Sequence, residues 1–407
     1  MSEKIIVSGV GCCLVDLLYN NIDFASDTIR PFISLRRGDG GLTPGHLVFN
    51  EEFVEFAGEF PFEAVLNTIT GGRTPDNMNV GGPSIVSLIQ VAQLTDHERC
   101  EVRFYGRGGN DDAGRYLLSS LQKTPVVLQD YQLADNITPS TVVLSDPNYD
   151  NGHGERMFIN SIGAAWDFQP DDLDDEFFHS DIVVFGGTAL VPVIHDHLTE
   201  LLKKAKSRGC ITIVNTVFDF RNEKLNPDQK WPLGKSDDSY QYIDLLITDQ
   251  EEALRLSGEK SAEATIRFFR DKQVSSLIIT NGSKNILVYS DGQFLEPLAL
   301  TELPVSQKVV EELKYNKDGD TTGCGDNFVG GVIASIVNQL QGGVQHPDIQ
   351  EACCWGIVSG GFACFYMGGT YFEQKTGEKL TKIKPYYECY NQQIRGRNAK
   401  NCNFWRR

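Results

Sequence analysis

A seven-residue stretch in the last quarter of the chain constrains its fold more than any other feature. Asp320 to Asp326 reads Asp-Thr-Thr-Gly-Cys-Gly-Asp, and an apolar run from Asn327 to Val337 follows it directly. The run predicts a helix, so the glycine turn would lie at a helix N-terminus, where unpaired backbone N–H groups form an anion site suited to phosphate. The glycines allow close backbone approach to a ligand and positive φ angles.

Asp326 falls in the first turn of this predicted helix, beside the anion site. A carboxylate there would repel a phosphate group unless it has a chemical role. The role that fits is a general base, which takes the proton of a hydroxyl as that hydroxyl attacks the γ-phosphoryl group. The alternative is an aspartate that caps the helix after a turn, and a short Gly/Asp turn by itself favours that alternative.

The complete string resembles the Asp-Thr-x-Gly-Ala-Gly-Asp motif of the ribokinase-like, phosphofructokinase-B (pfkB) family of carbohydrate kinases, with Cys324 where alanine is usual. This resemblance implies that Asp326 is the catalytic base and that the amides of Gly323, Cys324 and Gly325 form an anion hole. It also implies ATP and Mg²⁺ as cofactors, and K⁺ as a monovalent cation with Asp320 as a ligand.

Three further stretches indicate an acceptor site. Asp16 follows the apolar run Ile5–Gly11, a predicted buried strand, and ligands bind at the C-terminal ends of such strands. An aspartate that caps a loop is the alternative for Asp16. Asn79 to Ser84 opens an apolar helix and resembles the family's first glycine motif, which implies that Gly81 and Gly82 contact the sugar. Gly106 to Gly114 matches the family's Gly-x-x-Gly-x-Asp-x-x-Gly run; most of its glycines are expected to be structural, with Gly109 lining the sugar pocket.

The nucleotide and metal sites are indicated by weaker matches. Glu252 matches the glutamate of the family's Asn-x-x-Glu motif, which orders magnesium-bound water, whereas Asp249 replaces the asparagine. Asp249 and Glu252 also fit a helix capping box, which is the alternative. Thr280 and Gly282 end a predicted strand, and the resemblance places them near the ATP phosphates. Ser359 and Gly360 are small residues in an apolar helix that would admit a flat base, although plain helix packing is the alternative.

Composition excludes several classes of function. The 407 residues carry a net charge of −18, which disfavours nucleic acid as a partner. Residues 373–407 form a basic tail with nine Lys/Arg against three Asp/Glu, which we interpret as solvated or packed against a subunit rather than as an RNA- or membrane-binding arm. No apolar run is long enough to span a membrane, Met1–Lys4 leads directly into a strand rather than a signal peptide, and no CxxC pair occurs. We therefore expect a cytoplasmic protein with reduced thiols.

The order of predicted elements indicates an α/β protein. Alternating strands and helices predict a three-layer α/β/α fold with a mainly parallel central sheet. The resemblance adds a small β-sheet lid built from parts of 17–75 and 135–162, where short apolar runs suggest β-hairpins. We divide the chain into a kinase domain, 1–372, and the basic C-terminal extension, 373–407.

These observations predict ATP-dependent phosphorylation of a sugar or sugar-like hydroxyl. A nucleoside (adenosine-like) kinase of the same fold is the nearest alternative. Val86 stands where the family often has an asparagine, four residues after the second glycine of the first motif, which leaves the identity of the acceptor open. A catalytically silent ligand-binding relative is a further alternative.

The expected partners are a small sugar or nucleoside and ATP, with a homodimer formed through the lid. Because Cys324 begins the predicted helix, we also expect its thiolate to be favoured.

Overall fold

The computed structural model describes residues 4–36, 38–58, 60–152, 154–316 and 319–404. Within them the strands are β1 (Ile5–Gly11), β2 (Leu14–Tyr19), β3 (Leu47–Phe49), β4 (Asn77–Gly81), β5 (Cys100–Gly109), β6 (Tyr131–Ala134), β7 (Ser140–Asp146), β8 (Glu155–Ser161), β9 (Ile182–Gly186), β10 (Ile211–Asn215), β11 (Leu245–Asp249), β12 (Ser276–Thr280), β13 (Ile286–Ser290) and β14 (Leu298–Leu303). The α-helices are α1 (Asn50–Phe56), α2 (Phe62–Thr70), α3 (Pro83–Leu94), α4 (Asp112–Leu121), α5 (Tyr149–Gly152), α6 (Pro192–Asp196), α7 (Leu198–Ser207), α8 (Phe220–Leu225), α9 (Gln250–Ser257), α10 (Ala262–Asp271), α11 (Gln307–Glu312), α12 (Cys324–Gln341), α13 (Ile349–Ala363) and α14 (Glu378–Phe404).

The larger sheet has the order β14-β13-β12-β11-β10-β9-β1-β5-β6. Its strands from β12 to β6 pair in parallel, and β13 and β14 extend it antiparallel at one edge. Neighbouring residues of the central strand β9 lie in the hydrophobic cores on opposite faces of the sheet. Val184 packs with α3, α12 and α13, whereas Val183 and Phe185 pack with α6 and α7. Apolar side chains on both faces are what a sheet covered by helices on both sides requires. The predicted three-layer α/β/α fold is confirmed.

The smaller sheet has the order β3-β8-β7-β2-β4 and confirms the expected second sheet. One of its faces carries Val142, Leu144, Met157 and Ile159, which pack against helices α1 and α2. The opposite face carries polar side chains, since residues alternate along each strand; among them are Asp16, Thr141, Arg156 and Asn160.

Two details differ from the sequence-based expectations. Residues 20–75 contain helices α1 and α2 rather than hairpins, and β3 pairs in parallel with β8. Phe53, Val65 and Ile69 of these helices bury against the sheet, so the apolar spacing there is helical. Asp16 lies within β2 of the small sheet, not at the end of β1, because the chain leaves the large sheet after Gly11.

The basic tail begins with a helix that is part of the main core. Ile383, Tyr390 and Ile394 of α14 are buried in the same cluster as α12 and α13. Tyr387 stacks on Trp355 with ring centroids 4.2 Å apart. At least this part of the tail therefore packs against the kinase fold of its own chain. None of the helices in the described ranges is both long enough and apolar enough to cross a bilayer.

Candidate active site

The glycine motif forms the open N-terminus of α12. Gly323 is the residue before the helix, with φ 70° and no side-chain cap. A Cβ atom on Gly323 would overlap Gly369, so both the backbone conformation and the space require glycine here. The amide of Cys324 donates to the Thr321 carbonyl at 3.3 Å, whereas the amides of Gly323, Gly325 and Asp326 have no acceptor within the described residues. These free N–H groups make the helix start an anion site.

Asp326 is the third residue of α12, so it is not the residue that caps this helix. Its carboxylate accepts no hydrogen bond from the parts of the chain that the structure describes. The side chain is partly exposed between α12 and the polar face of the small sheet, a region called the cleft below, and burial by the surrounding protein raises its pKa to about 7. A carboxylate without hydrogen bonds and with a pKa near neutrality can exchange protons at physiological pH.

Asp16 faces the same cleft from the small sheet. Its pKa is raised to about 7, first by burial and then by the charges of Asp326 and Asp320, while Arg156 lowers it. Strands β2 and β4 pair antiparallel beside it, and a Cβ on Gly81 would overlap the Asp16 carboxylate. Gly82 has φ 108°, and a Cβ there would lie 2.5 Å from the carbonyl oxygen of Cys12. Both glycines therefore make room for Asp16 and for the turn into α3.

Asp320 and Arg156 complete the ring of charges around the motif. Asp320 Oδ1 accepts from the amides of Thr322 at 2.9 Å and Gly368 at 3.3 Å, which ties the motif to the loop after α13. Arg156 Nη1 lies 3.4 Å from Thr322 Oγ1. Arg156 was not predicted from the sequence. Only the alternation of side chains along β8 places it on the face of the small sheet that carries Asp16.

Glu252 approaches the motif from the end of β11. Its Oε2 accepts from the Thr216 hydroxyl and lies 3.4 Å from the amide nitrogen of Asp249, while its own amide donates to Asp249 Oδ1 at 2.8 Å. The capping box is thus formed. The pKa of Glu252 is raised to about 8, first by burial and then by the charge of Asp249; Asp326 adds to this. Glu252 and Asp326 are therefore close enough for their charges to interact.

The residues described here contain no cluster of three or more His, Cys, Asp or Glu side chains that could hold a metal ion directly. Glu252 Oε1 accepts no hydrogen bond from these residues, so one oxygen remains for a water molecule. This donor set fits a hydrated Mg²⁺ contacted through water better than a directly coordinated ion.

The remaining predicted residues fall in two groups. Thr280 ends β12 opposite Asp249, and Gly282 follows with φ 54° and open space around it. In contrast, Ser359 is fully buried against α12, and a Cβ on Gly360 would lie 2.7 Å from the Cys324 carbonyl oxygen. The packing interpretation thus fits Ser359 and Gly360. It also fits Gly109, which is buried where a Cβ would overlap residues 136–138.

Comparisons with known proteins identify the family of the chain. The family model described as pfkB family carbohydrate kinase matches residues 76–376. A fructokinase from Vibrio alginolyticus is 24% identical over 308 residues, which cover 75% of this chain and 92% of that protein.

Two solved structures share the fold at low identity. An adenosine kinase from Schistosoma mansoni in complex with 2-fluoroadenosine is 18% identical with a TM-score of 0.65, covering 90% of this chain and 97% of that one. An E. coli protein described as a ribokinase II, in complex with ATP and Mg²⁺, is 18% identical with a TM-score of 0.62, covering 95% and 99%. Because the family match spans well over half of the sequence, the chain belongs to the pfkB family of carbohydrate kinases, phosphotransferases that act on sugar hydroxyls.

Proposed function

We propose that the protein transfers the γ-phosphoryl group of ATP to a sugar hydroxyl, with Asp326 as the general base. The observation that carries this proposal is the position of Asp326, a carboxyl group with a pKa of about 7 beside the free amides of a helix N-terminus. A base with a pKa near the working pH is deprotonated often enough to act and still basic enough to take a proton. The free amides of Gly323 and Gly325 would stabilise charge on the transferring group, whereas the amide of Cys324, also expected in the anion hole, already donates to the Thr321 carbonyl.

The acceptor would bind between the polar face of the small sheet and the start of α3. Asp16 would accept hydrogen bonds from sugar hydroxyls, and Gly81 and Gly82 would support acceptor binding by leaving space for Asp16 and for the turn into α3. Gly109 would contribute through its packing against residues 136–138, without contacting the acceptor itself. Closure of the small sheet over the cleft would exclude water and limit ATP hydrolysis. Arg156, next to Thr322, would then bring a positive charge to the transferring phosphoryl group.

The nucleotide would extend from the α12 N-terminus toward Thr280 and Gly282. Ser359 and Gly360 would hold α13 close to α12 beside it. Glu252 would hold Mg²⁺ through a water molecule, and Mg²⁺ when bound neutralises charge on the phosphate oxygens. Asp320 Oδ2, which accepts no hydrogen bond from the described part of the chain, would be available to K⁺.

The test is a panel of acceptors assayed with the purified protein, ATP and Mg²⁺. Ribose, fructose, a fructose phosphate and adenosine are compared by release of ADP and by mass spectrometry of the product. Phosphorylation of a sugar with adenosine inactive supports the proposal, whereas turnover of adenosine alone would assign the nucleoside kinase alternative.

The homodimer through the lid stays a prediction with a structural restriction. Helices α1 and α2 of the same chain cover the apolar face of the small sheet, so a partner would have to use the edges of that sheet. Sedimentation at micromolar concentration tests it: a single monomeric species would reject the dimer.

A further inference from the structure

Lys379 is a buried amine behind the anion site that the proposed reaction does not use. It is the second residue of α14 and lies outside the segment 76–376 that matches the family. Its side chain is 1% exposed, and no Asp or Glu oxygen in the described ranges lies within ion-pair distance of its Nζ. Instead Nζ donates to Asn327 Oδ1 at 2.8 Å and lies 5.7 Å from the Tyr366 ring centroid. Burial of an amine without a carboxylate partner is costly, so its retention needs a reason.

Asn327 connects Lys379 to the glycine motif. It is fully buried, and its Nδ2 donates to the carbonyl oxygens of Gly323 at 2.9 Å and Gly369 at 2.8 Å. Its Oδ1 accepts from Lys379 and from the Tyr366 hydroxyl, the latter at 3.3 Å. The two donor and two acceptor positions of the amide are thus all occupied.

This pattern fixes the amide in one orientation. Backbone carbonyls only accept, so Nδ2 must face Gly323 and Gly369, and Oδ1 must then face Lys379. Gly323 in turn carries the positive φ angle from which the anion-site amides project, and Gly369 packs directly against it. Any rotation of Asn327 would release both carbonyls and loosen the turn.

We propose that Lys379 is a positioning residue for phosphoryl transfer: by holding Asn327, it fixes the Gly323 turn so that the free amides at the start of α12 point at the transferring group. This inference rests on the proposed function, and it assigns a role to the C-terminal helix in the reaction.

If Lys379 only stabilised the fold, its replacement would lower the melting temperature and leave kcat unchanged. Methionine has a length similar to that of lysine and would pack beside the Tyr366 ring without the desolvation cost of an amine. Burial lowers the pKa of Lys379 to about 7, with Glu373 opposing the shift, so the site disfavours the charged form. Lys379→Met is therefore expected to keep or raise the melting temperature while it impairs catalysis.

The experiment compares Lys379→Met with Lys382→Met. Lys382 lies on the same helix, is about half exposed and pairs with Glu378 at 2.8 Å, so it is a matched control. We expect kcat to fall about tenfold in Lys379→Met, the effect of one lost buried hydrogen bond, and to stay unchanged in Lys382→Met. In an Asn327→Ser background, Lys379→Met should cause no further loss, because its effect passes through Asn327.

A second readout does not depend on the acceptor. Hydrogen exchange of the peptide that contains residues 320–327 should be faster in Lys379→Met than in wild type or Lys382→Met. Unchanged exchange, a kcat within about twofold of wild type, or a full additional loss in the Asn327→Ser background would overturn the role of Lys379. A wild-type protein that phosphorylates no acceptor would instead reject the proposed function, while exchange would still show whether Lys379 holds the turn.

Discussion

The sulfur atoms of Cys324 and Cys364 lie 3.2 Å apart at the edge of the anion site. Cys324 begins α12 and Cys364 directly follows α13. The contact with the Cys364 thiol, together with burial, raises the pKa of Cys324 above its ordinary value. The expectation that the helix N-terminus favours a Cys324 thiolate is therefore wrong, because a neighbouring thiol and burial outweigh the helix dipole.

This contact predicts that hydrogen peroxide inactivates the enzyme by joining the two cysteines. Peroxide would oxidise one thiol to a sulfenic acid with release of water, and the second thiol would displace a further water to form the disulfide. The sulfurs would have to approach to about 2 Å, which would shift the start of α12. Dithiothreitol should restore activity, and peptide mapping without reductant should find the Cys324–Cys364 link.

Two variants check this prediction. Cys364→Ser should resist peroxide, and Cys389→Ser, which removes an exposed cysteine, should be as sensitive as wild type. Equal rates of inactivation for Cys364→Ser and wild type would contradict the disulfide.

Arg156 is expected to contribute to turnover rather than to folding. Arg156→Met removes the positive charge near Thr322, and loss of one donor to a developing anion typically lowers kcat by about 10²–10³. Arg30→Met is a suitable control, since Arg30 is an exposed arginine that pairs with Asp27 in the segment between β2 and β3. Steady-state kinetics with saturating acceptor provides the measurement. A higher KM for the acceptor with unchanged kcat would mean that Arg156 binds the acceptor instead.

Local sequence signals predicted the central strands and the motif helix. Ile5–Gly11 and Ile211–Asn215 are strands with the expected bounds, because each is a short β-branched run buried on both faces. The sequence from 191 to 208, followed by Gly209, predicts a single helix. The structure has two helices there, which meet at His197, whose φ of −103° interrupts the regular turn. Residues 50–56 carry a helical spacing of apolar side chains that the glycine-rich surroundings concealed.

The site could be predicted only where the motif itself supplies the residues. Arg156, Cys364 and Lys379 reach the motif from distant segments, at sequence separations of 166, 40 and 52 residues from their partners. Their positions follow from sheet register and helix packing, and no local pattern distinguishes them from other arginines, cysteines and lysines. Asp16, expected at the end of β1, lies instead in the small sheet, close enough to Asp326 for their charges to interact.

The two sides of the cleft should respond differently to an added methyl group. Gly81→Ala places a Cβ where the Asp16 carboxylate lies, so Asp16 must move, and we expect a higher KM for the acceptor. In Gly325→Ala the added methyl group meets no atom of the described residues within 4 Å, so the variant should fold normally, but the group would project toward the phosphates and raise the KM for ATP. Kinetics that vary each substrate in turn measure this. The reverse assignment of the two KM effects would exchange the proposed acceptor and phosphate sides.

Asp326 should set the pH dependence of the reaction. Only the deprotonated carboxylate can accept a proton, so kcat/KM should rise with pH through about 7 and level above it. Asp16 titrates in the same range and interacts with Asp326, so the wild-type profile reports both groups. In Asp16→Asn, kcat/KM should be lower than in wild type but should still rise with pH through about 7. In Asp326→Asn, kcat should fall by ~10²–10⁴.

The same carboxyl group should also link stability to pH. The folded pKa of Asp326, about 7, exceeds the unfolded value of about 3.9. The folded protein therefore binds this proton more tightly, and its contribution to stability is present below the unfolded pKa and is lost as pH rises through the folded pKa. Asp326→Asn removes the unfavourable charge, so its melting temperature should exceed that of wild type at pH values about one unit above the folded pKa, with a smaller difference near the unfolded pKa. Thermal unfolding at the two pH values measures the effect. A variant that is less stable than wild type at the higher pH, with a kcat within about threefold of wild type, would show that Asp326 supports the helix and does not act as the base.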